Sequence, residues 1–222
     1  MSDDSIRFPL IVDLYEQYLV DQDSPAFVRK VAQHYTIGTL ERLAEWGERM
    51  ARRGSALALG MLGDYTSNPV LGRALLDGDR GVRTLAETGI RKLWYRIGDE
   101  RTRRSLDNLH RLNESKQFQE CIEKATILVQ DSPWLAEAWN QRGIAHFYRE
   151  EYEQSIRDCH QTLEINPYHF AAAAGMGKSY MRLGNRVAAL ESYRRALRLN
   201  PGMDDVRAQV IHLQRTLQEE ED

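Results

Sequence analysis

Residues 138–167 read AWNQRGIAHFYREEYEQSIRDCHQTLEINP. In the second half of this stretch Tyr152, Ser155, Ile156, Cys159 and Leu163 recur at helical spacing and share one face. That periodicity predicts a helix from about residue 152 to residue 165, stopped by Pro167. Moving outward, Pro133, Pro167 and Pro201 stand 34 residues apart, and Gly143 and Gly177 recur at the same period. So do Phe118 with Tyr152, and the small residues Cys121, Ser155 and Ala189.

Each repeated position has a physical task. A small residue on the apolar face of the second helix, and a glycine in the first, let the paired helices approach closely. The proline ends the pair and directs the chain into the next one. A helix pair of this kind cannot bury its apolar face alone, so consecutive pairs must stack.

This pattern resembles the tetratricopeptide repeat (TPR) family over roughly residues 102 to 218. Trp139, Gly143, Tyr152, Ser155 and Pro167 stand at the family's signature positions in the second repeat. Gly177, Tyr180, Gly184, Ala189, Tyr193, Ala196 and Pro201 do so in the third. Arg142 replaces the commonest leucine, a change that its aliphatic stem allows. The first repeat is degenerate, with Leu109 for the glycine and Ser105 for the aromatic. A helix from about residue 204 to 218, carrying Val206, Val210, Leu213 and Leu217, is expected to cap the array before a frayed acidic tail.

The first hundred residues follow another helical pattern. Val82, Leu85, Ala86, Ile90, Leu93 and Ile97 form an apolar stripe running from Asp79 to Gly98. A shorter helix with Val70, Leu71, Ala74 and Leu75 follows Asn68-Pro69, and further helices are expected near residues 7–20 and 24–34. The string NPVLGRALLDGDRGVRTLAETGIRKLWYRIGD resembles a HEAT repeat, with Asp79 as its turn aspartate and Arg83 as its helix arginine. The expected architecture is therefore all-α, a right-handed α-solenoid of helix pairs. Residues 1–100 would supply HEAT-like repeats, and residues 101–222 about three TPR units and a capping helix. With no Pro/Gly-rich linker near residue 100, one continuous stack is expected.

Composition narrows the function. Thirty basic against 33 acidic residues, and a balance that holds on both sides of residue 100, give no field to draw the chain to nucleic acid or an anionic membrane. No stretch reaches the ~20 apolar residues of a membrane helix. The acidic Asp3 and Asp4 and the short run Phe8–Val12 do not make a signal peptide, so a cytoplasmic protein is expected.

No motif carries chemistry. The six histidines are not paired at metal-ligand spacing with one another or with Cys121 and Cys159, and both cysteines occupy helix-packing positions. Asp77-Gly78-Asp79-Arg80-Gly81 opens like a calcium loop but has Thr88 where the twelfth-position acid belongs. It reads as a helix–helix turn with an N-cap aspartate. No Gly-rich phosphate loop or nucleophile elbow occurs. No catalysis, cofactor or metal is expected.

The TPR resemblance implies a concave face, lined by the first helix of each pair, that receives a segment of another protein. In the second repeat that face would present Asn140, Ile144, Phe147 and Tyr148, the last two as adjacent exposed aromatics. In the third it would present Ala174, Lys178, Met181 and Arg182, and in the first Leu106, His110 and Asn113. Aromatic, amide and cationic groups together suit a peptide of some acidic character. TPR co-chaperones that hold the carboxylate of a heat-shock protein use a clamp containing lysine and arginine. The corresponding residues here are Leu106, His110, Gln141, Ala171 and Gly175, so no such capture is expected. Two other readings stay open: a HEAT-like bilin lyase or its partner subunit, and a self-assembling homo-oligomer.

Overall fold

The computed structural model describes residues 9–221, with side chains to Glu219. Among these residues there are thirteen α-helices, one 3-10 turn and no strand. The chain divides into two compact units, Met1–Leu93 and Trp94–Asp222. The acidic opening and the start of the first expected helix, residues 1–8, lie outside the described residues.

The first unit contains α1 (Leu10–Asp21), α2 (Ser24–His34), α3 (Ile37–Trp46), α4 (Arg49–Leu62), α5 (Asn68–Ala74) and α6 (Arg80–Leu93). Helices α2, α3 and α4 start on polar caps: Asp23, Thr36 and Glu48 each accept a backbone N–H from the first turn. Helices α4 and α6 cross at glycine. A Cβ placed on Gly60 would lie 2.8 Å from the Gly89 Cα, so neither position has room for a side chain.

Two arginines of α4 reach the turn before α6. Arg52 pairs with both carboxylate oxygens of Asp77 at 2.7 and 3.1 Å, and Arg53 with both of Asp79 at 2.7 Å. Asp79 also accepts the Val82 N–H, as expected for an N-cap. The α6 stripe is shorter than the sequence suggested. The helix ends at Leu93, and Ile97 packs instead into the apolar cluster of the second unit.

The second unit contains α7 (Glu100–Glu114), α8 (Phe118–Asp131), α9 (Ala136–Tyr148), α10 (Tyr152–Ile165), α11 (Phe170–Arg182), α12 (Arg186–Leu199) and α13 (Asp204–Glu221). Each helix packs on the next, and α9 also packs on α7 and on α11. This is the stacked-pair architecture expected of the repeats. Helix α10 spans the predicted 152–165. Gly177 sits where a Cβ would run into the Tyr193 ring at 2.5 Å, the close approach that the glycine spacing predicted. Helix α13 covers the last apolar face with Val206, Val210 and Leu213. It continues through Glu221 because no proline or glycine stops it, so the acidic residues prolong the helix instead of trailing from it; Asp222 lies outside the described residues.

Candidate functional site

Two adjoining clefts run across the first helices of successive pairs. One, of about 250 Å³, lies between α9 and α11 above α10, lined by Asn140, Gly143, Ile144, Phe147, Tyr148, Ser155, Cys159, Ala171, Gly175 and Lys178. The next, of about 300 Å³, extends toward α13 and is lined by Phe147, Lys178, Met181, Arg182, Tyr193, Asp205, Val206 and Gln209. Phe147 and Lys178 border both. Asn140, Ile144, Phe147, Tyr148, Lys178, Met181 and Arg182 are thus all brought to one surface by helical spacing on α9 and α11.

Tyr148 is 61% exposed, yet it is held in place: its ring stacks on Phe118 at 5.0 Å and 8°. Phe147, expected beside it at the surface, is half-buried, because neighbours on a helix diverge by ~100°. Its ring meets Tyr148 edge-on at 5.5 Å and Tyr152 at 5.7 Å. The Arg182 guanidinium lies 5.0 Å from the Tyr152 ring and pairs with Glu150 at 3.5 Å. Glu150 thus partly compensates Arg182, whereas exposed Lys178 makes no ion pair among the described residues.

Beyond Asn140 the surface closes over a buried polar network that the sequence reading missed. Glu137 is 3% exposed. Its Oε1 accepts from Asn140 Nδ2 at 3.0 Å and Gln141 Nε2 at 2.7 Å, and its Oε2 meets His169 Nε2 at 2.9 Å. His169 Nδ1 accepts the Ala172 N–H at 3.1 Å, capping α11. That bond leaves Nε2 as the nitrogen that donates to Glu137. Burial alone would push the Glu137 carboxyl up, but the bonds from His169, Gln141 and Asn140 bring it below the ordinary range, so it stays ionised.

The aromatic pair Trp94-Tyr95, which opens the second unit, completes the network. Trp94 is 3% exposed and stacks on His169 at 3.9 Å and 17°, with Phe170 tilted beside it at 5.2 Å. Gln141 Nε2 donates to the Tyr95 hydroxyl at 2.7 Å, and the ring meets His110 edge-on at 5.6 Å. Burial and the neighbouring Glu137 carboxylate hold the Tyr95 phenol well above its usual range.

The first repeat does not extend the cleft as expected. Leu106 is fully buried in the core, and Asn113 donates to the Gln141 backbone oxygen at 2.9 Å and to Gln141 Oε1 at 2.8 Å. Ala174, expected on the surface in the third repeat, is also buried. A sequence signal for Glu137 existed: it stands four residues before Gln141, one turn along the same face. Nothing in the sequence placed Trp94 and Tyr95 against it.

Arg142 does more than pack its stem. It forms a bidentate pair with Asp158 at 2.8 Å, donates to Thr126 Oγ1 at 3.2 Å, and lies 4.8 Å from the Trp139 ring. Both cysteines are buried and free, and burial pushes the Cys121 thiol up to about 11 and the Cys159 thiol to about 12. Neither is a thiolate nucleophile at neutral pH. Among the described residues no three histidine, cysteine, aspartate or glutamate side chains gather to hold a metal ion, and no helix is long and apolar enough to cross a membrane.

Sequence comparison identifies the repeats that build these helices. Tetratricopeptide repeat family models match residues 136–169 and 170–203. The C-terminal half carries tetratricopeptide repeats. A TPR repeat-containing protein of Rhizobium etli is 33% identical over 78 residues, covering 35% of this chain and 38% of the relative. Subunit 3 of the anaphase-promoting complex of Schizosaccharomyces pombe is 31% identical over 88 residues, covering 40% of this chain and 13% of the relative. The matches thus span well under half the length of these curated relatives. Among solved structures, the first TPR domain of Spaghetti (RPAP3) bound to an HSP90 peptide aligns at 18% identity and a TM-score of 0.49. It covers 51% of this chain and 90% of the solved one. The two matched repeats are α9–α10 and α11–α12, the pairs whose first helices line the clefts.

Proposed function

We propose that the second unit is a non-catalytic interaction module that takes a segment of a partner protein into the clefts between α9, α11 and α13. The observation that carries this reading is the continuous surface made by Ile144, Phe147, Tyr148, Lys178, Met181 and Arg182 across two tetratricopeptide repeats. The partner segment would bury an apolar side chain against Ile144 and Phe147 and lay a second against Tyr148. Phe118 holds the Tyr148 ring before binding, which reduces the ordering cost on association. Asp205 stands at the far edge and Glu150 is engaged with Arg182, so Lys178 is the cation left to meet an acidic group.

A heat-shock carboxylate clamp is not part of this proposal. Of the corresponding positions, Leu106 is core, and Gln141 is committed to Glu137, Tyr95 and Asn113. We read the first unit as HEAT-like helical pairs able to hold a second partner. What supports the HEAT-like part of this reading is that Arg83 donates from α6 to the Asp77 and Gly78 carbonyls at 2.7 and 3.1 Å, binding the turn that precedes its own helix.

The test is differential capture from lysate with wild type beside a Tyr148→Ala/Lys178→Ala/Arg182→Ala variant of verified helicity. All three residues are exposed, so the fold should survive. A protein retained by wild type and lost by the variant is the expected result. Equal retention by both would remove the cleft as the working site.

A further inference from the structure

We infer that the polar end of the groove is a binding site for a tryptophan–tyrosine pair, and that the chain fills it with its own Trp94 and Tyr95. Glu137, Asn140, Gln141, His169 and Phe170 sit on α9 and at the start of α11, the helices that line the open clefts, and His110 and Asn113 join them from α7. Asn140 belongs to both regions, since it borders the first cleft and donates to Glu137 at 3.0 Å. Phe170, against Trp94, directly precedes Ala171, which lines that cleft. On α9, Glu137, Asn140 and Ile144 follow one another at helical spacing, so the polar site and the open cleft occupy successive stretches of one face of that helix.

The contacts have the character of ligand recognition. Each aromatic has a stacking or edge partner, His169 for Trp94 and His110 for Tyr95, and the one phenol is met by an amide held from two sides. Gln141 donates to Glu137 while Asn113 donates to its oxygen, so its amide orientation is fixed independently of the phenol. The residues Trp94 and Tyr95 come after the last residue of α6 and before the first of α7, so they reach the site as a connecting segment and not as part of either helix. Such a segment acts as a resident ligand. It closes one end of the groove, and a partner segment has the clefts from Ile144 to Arg182 to itself.

The test uses the full chain and a fluorescent peptide of residues 88–98, TGIRKLWYRIG. Anisotropy should show no binding to wild type, whose site is filled. A Trp94→Ala/Tyr95→Ala variant should bind the peptide at least about tenfold more tightly than wild type. The same peptide with both aromatics changed to alanine should not bind, and adding Gln141→Leu to the variant should weaken binding. If the double variant does not fold, Tyr95→Phe, which removes only the hydroxyl, should still admit the peptide more readily than wild type. Equal binding to wild type and variants, or binding to none of them, would overturn the inference. The first result would mean that the peptide goes elsewhere, and the second that the pair is permanent core.

Discussion

The α4–α6 crossing of the first unit and the α9–α11 neighbourhood of the second solve the same problem, seating two helices side by side, with opposite materials. At α4–α6 the helices touch through Gly60 and Gly89, and charge is kept to the rim, where Arg52 and Arg53 pair with Asp77 and Asp79. At α9–α11 charge goes inside: Glu137 is enclosed with three hydrogen-bond donors and an aromatic lid. The glycine contact needs no partner and leaves nothing for one. The buried carboxylate instead imposes directional demands that Trp94, Tyr95 and His169 meet. Directional groups of that kind make a surface selective, and the open clefts begin where they end.

The comparison predicts where each region is fragile. Glu137→Ala should have the largest effect, because it strands the donors of Asn140, Gln141 and His169. A loss of about 3–5 kcal/mol is expected for breaking such a buried arrangement, read as a fall in the denaturant midpoint. A loss below about 1 kcal/mol would mean that the network is not a stabilising element. Gly89→Val comes next: its Cβ would stand 2.9 Å from the Gly60 Cα and 3.0 Å from Leu71, and overpacking of this kind costs about 1–3 kcal/mol. Thermal unfolding followed by circular dichroism should show the shift, and an unchanged midpoint would mean that the helices separate freely.

The rim pair should matter least, and with a distinctive pH dependence. The hydrogen bonds from Arg53 hold the Asp79 carboxyl far below its ordinary value. Its ionised form therefore stabilises the fold at any pH above the unfolded value of about 3.9, and that contribution is lost as pH falls toward the folded value. Asp79→Ala should lower stability by about 1–2 kcal/mol near neutrality through the lost pair and cap. The gap between wild type and variant should narrow steadily below about pH 4. A gap independent of pH would assign the effect to packing.

How much of this was legible in the sequence follows from the range of the interactions. The 34-residue spacing of Pro133, Pro167 and Pro201 reports a local, repeated packing rule, and the apolar periodicity before Pro167 predicts a helix at about residues 152–165, where α10 is found. The seven groove residues could be placed because the TPR resemblance implies that the first helix of each pair lines the concave face, and helical periodicity then fixes which of its side chains share that face. The Trp94–His169 stack could not, because it joins residues 75 apart and obeys no period. The same holds for the end of α6: the apolar pattern runs on through Ile97, but Leu93 is its last helical residue, and which unit claims the residues beyond it is settled by tertiary packing. Arg142 shows a third limit. Its stem was foreseen to pack, but its partner Asp158 lies across the helix pair, where the sequence gives a separation and not a direction.

On the proposed reading the open clefts, and not the outer surface, receive the partner. The most direct measurement places a photo-crosslinking phenylalanine at Tyr148, and separately at Val187, which is exposed on α12 and lines neither cleft. Each full-length protein is then irradiated in lysate. A covalent adduct with another protein is expected from position 148, absent from position 187 and abolished by Lys178→Ala/Arg182→Ala. An adduct formed at Val187 but not at Tyr148, or one at Tyr148 that persists without the two cations, would contradict it.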